Sequence, residues 1–411
     1  MTFPSGLRAL NHREYRLYFT GQVLSQVGTW MQSVAQSWLV LQITGSPLRL
    51  GLISTLQFTP MLFFSVFSGA VADRLPKRRL LIVTQSILAC QALTLCVLVS
   101  SGHIRYWHVA VLAALLGLVN TLDNPSRQSF VSELVPKDHV VNAVALSSAG
   151  FNSARIVGPA AAGLLIARFG IAPAFLLNGL SFLFVIGALL RLGARGEGRR
   201  VRGTSMLDEV REGIGYAIQT PRVRLALGVL LVVSISVFNF NVYVPLLARN
   251  VLHQGAEGFG FLMASLGVGA VSGALTLGAL RSSRPALPLV FTASFAACAG
   301  ILGMAIVRRF WVAVPALFVV GFFAIVVTAS CNTTLQISAP DELRGRVMSL
   351  YSLVFGGSVP LGAFLVGFLS ERWGVPAAFI VMGGAGVLGT GALALSWRAR
   401  QQPREGRVSA A

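Results

Sequence analysis

Three ionisable residues stand inside long apolar stretches of this chain: Asp123, Arg127 and Arg155. Asp123 and Arg127 are four residues apart, so a helix places them on one face, within reach of an ion pair. If these stretches cross a membrane, each charge is costly and must face water or a charged partner. Two interpretations stay open. Asp123 could exchange a proton as a cavity beside it opens to either face of the membrane. Alternatively, a buried ion pair, with Arg155 approaching from the next helix, could fix the packing of the helices.

A stripe of neutral polar residues follows the first apolar stretch. It consists of Gln22, Gln26, Thr29, Ser33 and Gln36. Steps of four and three residues keep all of them on one face of a helix, and Trp30 adds an aromatic surface beside them. The pattern predicts a helix face that lines an aqueous cavity and contacts a bound solute. Hydrogen bonding between helices, without solute contact, is the alternative.

Further polar residues in other apolar stretches are candidates for the same cavity. They are Asn120, Asn124, Asn152, Asn239, Asn241, Tyr243, Asn332, Thr333 and Gln336. Because these side chains are uncharged and have aromatic neighbours, the predicted cavity favours an amphipathic small molecule over a multiply charged one.

Composition indicates which elements hold these residues. With 55% hydrophobic and only 11% charged residues, the chain is typical of an integral membrane protein. Apolar runs of about 20 residues, long enough to cross a bilayer, recur along its length. They predict an all-α fold of twelve transmembrane helices around a central cavity. The predicted spans are 17–43, 48–72, 80–101, 107–133, 141–167, 171–192, 224–250, 257–280, 286–307, 311–337, 346–370 and 375–397.

The distribution of charge predicts the orientation. The 33 Lys and Arg residues outnumber the 14 Asp and Glu residues, which gives a net charge of +19. Most of the cations fall in the termini and in alternate connections, as expected when those segments lie in the cytoplasm. We therefore expect a multi-pass protein of the bacterial inner (plasma) membrane, in contact with membrane lipids and with both termini cytoplasmic. The distribution argues against nucleic-acid binding, and the Cys and His spacings predict no metal site and no cofactor.

An internal repeat divides the chain, since Gly163 is matched by Gly367 in an ungapped self-alignment that continues on both sides. The repeat predicts two pseudo-symmetric halves of six helices each. The predicted parts are the N-terminal half 1–192, the cytoplasmic linker 193–223, and the C-terminal half with its basic tail, 224–411. Within the linker, residues 205–218 have the pattern of an amphipathic surface helix.

The stretch SGAVADRLPKRRLLIV lies between the second and third predicted spans and contains Gly69, Asp73, Arg74 and Arg78. It resembles the loop signature of the major facilitator superfamily, and the number of spans, the repeat and the basic linker agree with that family along the whole chain. Three further segments resemble the bacterial exporter branch that includes enterobactin and macrolide exporters. They are GQVLSQVGTWMQSVAQSWLV, DNPSRQSFVSELVP and NSARIVGPAAAGLL.

The resemblance implies roles for two groups of residues. Gly69, Asp73, Arg74 and Arg78 would form a conformational latch, and we expect Glu133 to pair with Arg74 or Arg78. The alternative is that these cations only determine topology. The second group consists of Gly158, Pro159 and Gly163. It resembles the fifth-helix signature of antiporters, in which small residues and a proline bend and thin the helix.

The resemblance also implies a function. We expect a monomeric secondary active transporter, a proton-coupled exporter (antiporter) of amphipathic small molecules such as drugs or siderophore-like metabolites, working by alternating access. An uptake symporter or facilitator, and a lipid-moving protein of the same fold, are the alternatives. The sequence has neither a catalytic constellation nor a GxxxxGK[ST] phosphate loop, so neither an enzyme nor an ATP-driven pump is predicted.

Overall fold

The computed structural model describes residues 5–193, 206–279 and 287–401, and its regular elements are helical. The α-helices are α1 Arg13–Thr44, α2 Pro47–Arg74, α3 Lys77–Ser100, α4 Tyr106–Val131, α5 Val140–Phe169, α6 Ala172–Arg191, α7 Met206–Gln219, α8 Pro221–Ser236, α9 Phe240–Leu246, α10 Ala256–Ala279, α11 Leu287–Gly303, α12 Phe310–Ser338, α13 Asp341–Trp373 and α14 Val375–Gln401. A π-helical turn, Leu247–Val251, continues α9.

Nine helical segments within the described ranges are long and apolar enough to cross a membrane. They are Lys77–Ser100, Tyr106–Val131, Ala172–Arg191, Pro221–Val251, Ala256–Ala279, Leu287–Ile306, Phe310–Ser338, Leu343–Trp373 and Val375–Ala399. Each coincides with one of the predicted spans, because a run of about 20 apolar residues forms a helix that satisfies its own backbone hydrogen bonds in lipid.

The other three predicted spans, 17–43, 48–72 and 141–167, fall on α1, α2 and α5. These helices are 32, 28 and 30 residues long, and they are not among the nine segments found within the described residues. Polar side chains such as Gln26 in α1 and Arg155 in α5 lower their mean hydropathy. The same three helices make the polar and close-packed contacts described below.

We call α1–α6 the first helix set and α8–α14 the second helix set, and the two sets pack extensively against each other. In the first helix set, α1–α6, α1 packs against α5 and α6, while α3 and α2 pack against α4. In the second helix set, α8–α14, α10 packs against α12, α11 against α12 and α14, and α13 against α8. The two sets meet mainly where α2 crosses α13 and where α5 crosses α10.

Glycines allow both crossings to be close. A Cβ atom on Gly51 of α2 would lie 2.6 Å from the carbonyl oxygen of Ala363 in α13. A Cβ atom on Gly260 of α10 would lie 2.6 Å from the carbonyl oxygen of Pro159 and 2.7 Å from the Cα of Gly163, both in α5. Real Cβ atoms essentially never come within 3.0 Å of such atoms. Only glycine therefore permits these helix axes to approach so closely.

Helix α7 lies inside the segment predicted as a linker and is attached to the second helix set. Glu212 of α7 pairs with Arg346 of α13 at 2.5 Å. The hydroxyl of Tyr216 donates to the carbonyl of Ser338, at the end of α12, at 2.6 Å. Ala217 is buried against residues of α8, α12 and α13. These contacts hold the connection against the ends of the helices that follow it.

Candidate functional site

The N-terminal half of α1 contributes to a small pocket. The pocket is lined by Tyr18, Phe19, Gln22, Val23, Gln26 and, from α5, Ser147. Within the described part of the chain, the hydroxyl of Tyr18 and the Oε1 atoms of Gln22 and Gln26 are buried without a hydrogen-bond partner. Because an unpaired buried polar atom is costly, these atoms are available to a ligand or to water in the pocket.

The remaining stripe residues on α1 are placed differently. Gln36 is buried, and its Nε2 donates to Oε1 of Gln57 in α2 at 3.1 Å. The hydroxyl of Thr29 donates to the carbonyl of Ser25, one turn back in the same helix, at 2.9 Å. Ser33 is half-buried. The stripe thus combines both interpretations: its first part faces a pocket, and Gln36 connects two helices.

A buried amide network near the stripe was not predicted. Gln32 of α1 donates to Oε1 of Gln91 in α3 at 2.9 Å and accepts from Nδ2 of Asn178 in α6 at 2.7 Å. Gln32 lies outside the periodic stripe, so its spacing did not mark it. The signal was the presence of polar amides in the otherwise apolar spans 80–101 and 171–192. The network links three helices of the first set through hydrogen bonds that lipid cannot replace.

Asp123 is 1% exposed and accepts from several donors. Its Oδ1 accepts from the hydroxyl of Thr84 at 2.7 Å and from Nε2 of Gln85 at 2.9 Å, both in α3. Its Oδ2 lies 3.0 Å from Nη2 of Arg127, which also donates to Oδ1 of Asn124 at 2.5 Å. The ion pair predicted between Asp123 and Arg127 is present. Thr84 and Gln85 were not predicted, although both are polar residues in the span 80–101.

Arg155 is not part of this ion pair. Helices α4 and α5 share few contacts, whereas α5 packs extensively against α1 and α10. The guanidinium carbon of Arg155 lies 5.7 Å from the ring centre of Trp30 in α1. Trp30 in turn meets Phe151 edge to face, with ring centres 6.0 Å apart. Arg155 therefore faces an aromatic pair, and the predicted approach to Asp123 does not occur in this conformation.

The glycines of α5 lie at helix contacts. A Cβ atom on Gly158 would lie 2.5 Å from Cβ of Trp30, so Gly158 allows α5 to pack tightly on α1. Gly163 allows the crossing with α10. Helix α5 continues through Pro159 from Val140 to Phe169. Bending at these residues remains a prediction, while their close packing is observed.

The predicted latch is only partly described. Gly69, Asp73 and Arg74 lie on α2 but outside the residues whose side chains the structure describes. Glu133 forms an ion pair with Lys77, the first residue of α3. Of the two expected partners, Arg74 lies outside the described side chains and Arg78 is placed elsewhere. Arg78 instead donates to the carbonyls of Leu189 and Leu190 at 2.6 and 2.9 Å. Since consecutive helical residues point about 100° apart, Arg78 faces the end of α6 while Lys77 faces Glu133.

Two polar candidates of the second helix set donate hydrogen bonds to the backbone. Nδ2 of Asn239 donates to the backbone carbonyl of Ile235 at 2.7 Å, and the hydroxyl of Tyr243 donates to the backbone carbonyl of Ser236 at 2.9 Å. Both side chains are buried, and Tyr243 stacks on Phe379 with ring centres 5.1 Å apart. These two residues support packing in this conformation. The remaining predicted cavity residues, in both helix sets, are half-buried or exposed: Asn120, Asn124, Asn152, Asn241, Asn332, Thr333 and Gln336.

Charged residues join the two helix sets at one end. Arg249, in the π-helical turn, donates to the carbonyl of Leu41 near the end of α1. Oε2 of Glu371, near the end of α13, accepts from the hydroxyl of Ser46 at 2.9 Å and from the backbone N–H of Leu48, in the first turn of α2, at 3.2 Å. A cation at a helix C-terminus and an anion at a helix N-terminus both complement the helix dipole. We call this group, Leu41, Ser46, Leu48, Arg249 and Glu371, the end clamp.

Two further contacts lie beneath the end clamp. Trp38 of α1 stacks on Phe259 of α10, with ring centres 5.8 Å apart. The hydroxyl of Thr55 in α2 donates to the carbonyl of Pro360 in α13 at 3.0 Å. The clamp and these contacts link the two sets toward one end of their interface. No group of three or more His, Cys, Asp or Glu residues in the described part of the chain could hold a metal ion.

Comparison with known proteins identifies the family. Residues 4–410 match the family described as Transmembrane secretion effector. The chain is 25% identical to the Staphyloferrin A transporter of Staphylococcus aureus, covering 90% of this chain and 92% of that protein. It is 28% identical to the Multidrug efflux pump Tap of Mycolicibacterium fortuitum, with 86% and 88% covered. It is 27% identical to the Enterobactin exporter EntS of Shigella boydii, with 93% and 91% covered.

A solved structure supports the fold. The crystal structure of a bacterial homologue of the human lysosomal transporter Spinster, in an inward-facing and unoccupied conformation, superposes with a TM-score of 0.71 at 12% identity. The match covers 93% of this chain and 95% of that one. The family match and the relatives agree with the exporter-branch resemblance found in the sequence, and they are transporters and not enzymes. The chain therefore belongs to the Transmembrane secretion effector family of the major facilitator superfamily.

Proposed function

We propose that this protein is a secondary active exporter of amphipathic small molecules, of the drug or siderophore-like class, that works by alternating access. In this proposal α1–α6 and α8–α14 act as two six-helix, pseudo-symmetric halves with twelve membrane spans in total. The relatives named as a multidrug efflux pump and an enterobactin exporter support export of small molecules. The location is the bacterial plasma membrane, with both termini cytoplasmic and the protein acting as a monomer.

One observation carries the proposal. The hydrogen bonds between the two helix sets, as far as the described side chains show them, lie at the end that holds the end clamp. The pocket with unpaired polar atoms at Gln22 and Gln26 lies toward the other end of α1. Gln26 and Leu41 are 15 residues apart, about 22 Å along a helix. A polar site that is closed at one end is what an alternating carrier requires.

The orientation follows from the charge distribution. If the N-terminus is cytoplasmic, the end clamp lies at the outer face and the pocket faces the cytoplasm. An exporter needs this conformation to load its solute. The latch proposed at Gly69, Asp73, Arg74, Arg78 and Glu133 then lies at the cytoplasmic face, where it would stabilise the opposite, outward-open conformation. The ion pair between Lys77 and Glu133 adds Lys77 to that group.

Asp123 is our candidate for proton coupling. It is buried and accepts from Thr84 and Gln85 of α3 while facing Arg127. A shift of α3 against α4 would remove two of its donors and change the balance between the charged and neutral carboxyl. Replacing Asp123 with Asn and measuring export driven by a pH gradient in proteoliposomes tests this role. Unchanged dependence on the gradient would remove Asp123 from coupling and leave the ion pair as a structural element.

The export function is tested by accumulation of an amphipathic dye. Cells that produce the protein should accumulate less of at least one dye, in a panel that includes the cationic Hoechst 33342 and the anionic fluorescein, than cells carrying an empty vector. An uncoupler should abolish the difference. Equal accumulation across a panel of amphipathic dyes would contradict export. Greater accumulation in the producing cells would indicate uptake, and altered distribution of lipids between leaflets without any dye effect would indicate lipid movement.

A further inference from the structure

Arg155 is a cation in the interior of α5 for which the described structure shows neither an ion pair nor a hydrogen bond. It has a cation–π contact with Trp30, in which the guanidinium carbon lies 5.7 Å from the ring centre. This differs from Arg127, which has both Asp123 and Asn124. A charge at membrane depth without a counter-charge is expensive, and such residues usually mark a site where a ligand or ion supplies the missing charge.

The aromatic ring compensates for only part of this cost. A cation over a tryptophan face is stabilised by the ring, but by less than the cost of removing its charge from water. The five N–H groups of the guanidinium remain available for donation. Arginine donates two parallel hydrogen bonds to a carboxylate, a geometry that lysine cannot reproduce. The missing partner therefore has the chemistry of a carboxylate or another planar anion.

The surroundings of Arg155 favour an anion attached to a flat ring. Phe151 lies one turn before Arg155 on the same face of α5, and its ring meets Trp30 edge to face at 6.0 Å. Phe151 is 44% exposed, so its ring can contact a solute. Aromatic pairs add a further ring readily, in stacked or edge-to-face geometry. A ligand whose ring lies against Trp30 and Phe151 would bring its carboxylate to Arg155.

The polar pocket lies further along the same contact between α1 and α5. Ser147, Phe151 and Arg155 are spaced at four residues and lie along one face of α5. Ser147 lines the pocket with Gln22 and Gln26 of α1. Trp30 follows Gln26 by one turn, about 6 Å along the helix. The unpaired Oε1 atoms of both glutamines would accept from hydroxyl or amide groups on the far side of the ligand.

We propose, on the basis of the export function above, that Arg155, Trp30 and Phe151 form a binding site for aromatic carboxylates, and that solutes of this transporter are anionic aromatic amphipaths. Arg155 binds the carboxylate, Trp30 and Phe151 hold the ring, and Gln22 and Gln26 accept hydrogen bonds from its polar substituents. This narrows the solute class expected from the sequence, which pointed to amphipathic molecules without a preferred charge.

The test compares three probes of similar shape on the purified full-length protein in lipid nanodiscs, by isothermal titration calorimetry. The probes are 1-naphthoate, its neutral amide 1-naphthamide, and the saturated decahydro-1-naphthoate. A hydrogen bond to a charged group contributes about 1.5–3 kcal/mol, so naphthoate should bind about 10- to 150-fold more tightly than naphthamide. It should also bind more tightly than the saturated acid, because that ring cannot stack. Equal affinity for naphthoate and naphthamide would overturn the proposal without the need for any variant.

Variants then assign the site. Arg155→Gln should bring the affinities for naphthoate and naphthamide to within about twofold of each other, and Arg155→Lys should retain part of the preference. Trp30→Leu should weaken both probes. Arg168→Gln is the matched control, because it removes an exposed cation from the same helix; its preference should equal that of the wild type. An Arg155→Gln protein that is folded, by size-exclusion chromatography and melting, and that keeps the full preference would refute the assignment.

This test separates the two proposals. If dye accumulation shows no export but naphthoate binds selectively through Arg155, the anion site stands and the export function fails. If export is observed but the wild type does not discriminate naphthoate from naphthamide, the anion site fails and the export function stands.

Discussion

The close crossing of α5 and α10 leads to a specific prediction about Gly260→Ala. The added Cβ would lie 2.6 Å from the carbonyl oxygen of Pro159 and 2.7 Å from the Cα of Gly163. Ordinary contact begins at 3.4 Å, so the two helices must separate by roughly 0.5–1 Å at this point, as overpacked interfaces do. Both nearest atoms belong to the backbone, so no side chain can rotate away. We expect this crossing to open when the end clamp opens.

Overpacking costs about 1–3 kcal/mol. If the cost applies only while the end clamp is closed, the ratio of closed to open molecules falls by about 5- to 150-fold, since 1.4 kcal/mol is a factor of ten. Spin labels on Gln42→Cys in the first helix set and Arg372→Cys in the second, with the four native cysteines replaced, would report this change by double electron–electron resonance. The labelled Gly260→Ala protein should gain a population with a longer distance between the two labels than its labelled parent.

Two other glycines serve as controls. A Cβ atom on Gly384 in α14 would have no neighbour within 4 Å, so Gly384→Ala should leave the distance distribution unchanged. A Cβ atom on Gly117 in α4 would lie 1.9 Å from the carbonyl oxygen of Gln57 in α2, within one helix set. Gly117→Ala should lower the melting temperature in every conformation without favouring the open one. A Gly260→Ala protein with the distances of its parent would refute the reasoning, because the crossing would then not depend on conformation.

Three further predictions concern polar contacts. Glu371→Gln should loosen the end clamp, because a neutral amide is a weaker acceptor for Ser46 and Leu48 than a carboxylate; the same spin labels should show a longer component, and an unchanged distribution would argue against a clamp. Thr84→Val should lower the free energy of unfolding by about 1.5–3 kcal/mol, because it removes a donor to the buried carboxylate of Asp123; thermal melting in detergent measures this. Thr94→Val, in the exposed part of the same helix, is its control, and an equal loss there would contradict the assignment. Asp73→Asn should impair dye export, while membrane insertion, measured by cell fractionation, stays normal. A fully active variant would indicate that the loop around Asp73 only determines topology.

Much of the fold follows from local sequence. Lipid and water select helices by the hydropathy of each segment alone, so the apolar runs predicted the positions of α3, α4, α6 and α8–α14 without knowledge of their neighbours. Two helices with more polar residues mark the candidate site. Helices α1 and α5 carry polar residues that lower their hydropathy, and these residues lie at the pocket and beside Trp30.

The candidate site was predicted less completely, because a site depends on which helix faces meet. The spacing of Asp123 and Arg127 was sufficient for their ion pair, since both partners lie on one helix. Thr84 could not be inferred as a partner of Asp123, because that contact depends on how α3 packs against α4. The same applies to Lys77, which forms the ion pair with Glu133 that was expected for a neighbouring arginine.

The sequence by itself determined the membrane class, the helix positions and the superfamily. It also identified the residues that could take part in binding or proton transfer. These properties depend on segment hydropathy and on short motifs, which are local. Only the tertiary structure decided that Arg155 faces Trp30 and not Asp123, that Gln32 joins a buried network, and that the end clamp links the two helix sets. These outcomes depend on the rotation and crossing of helices that are far apart in the chain, and glycines such as Gly163 and Gly260 set how closely those helices approach.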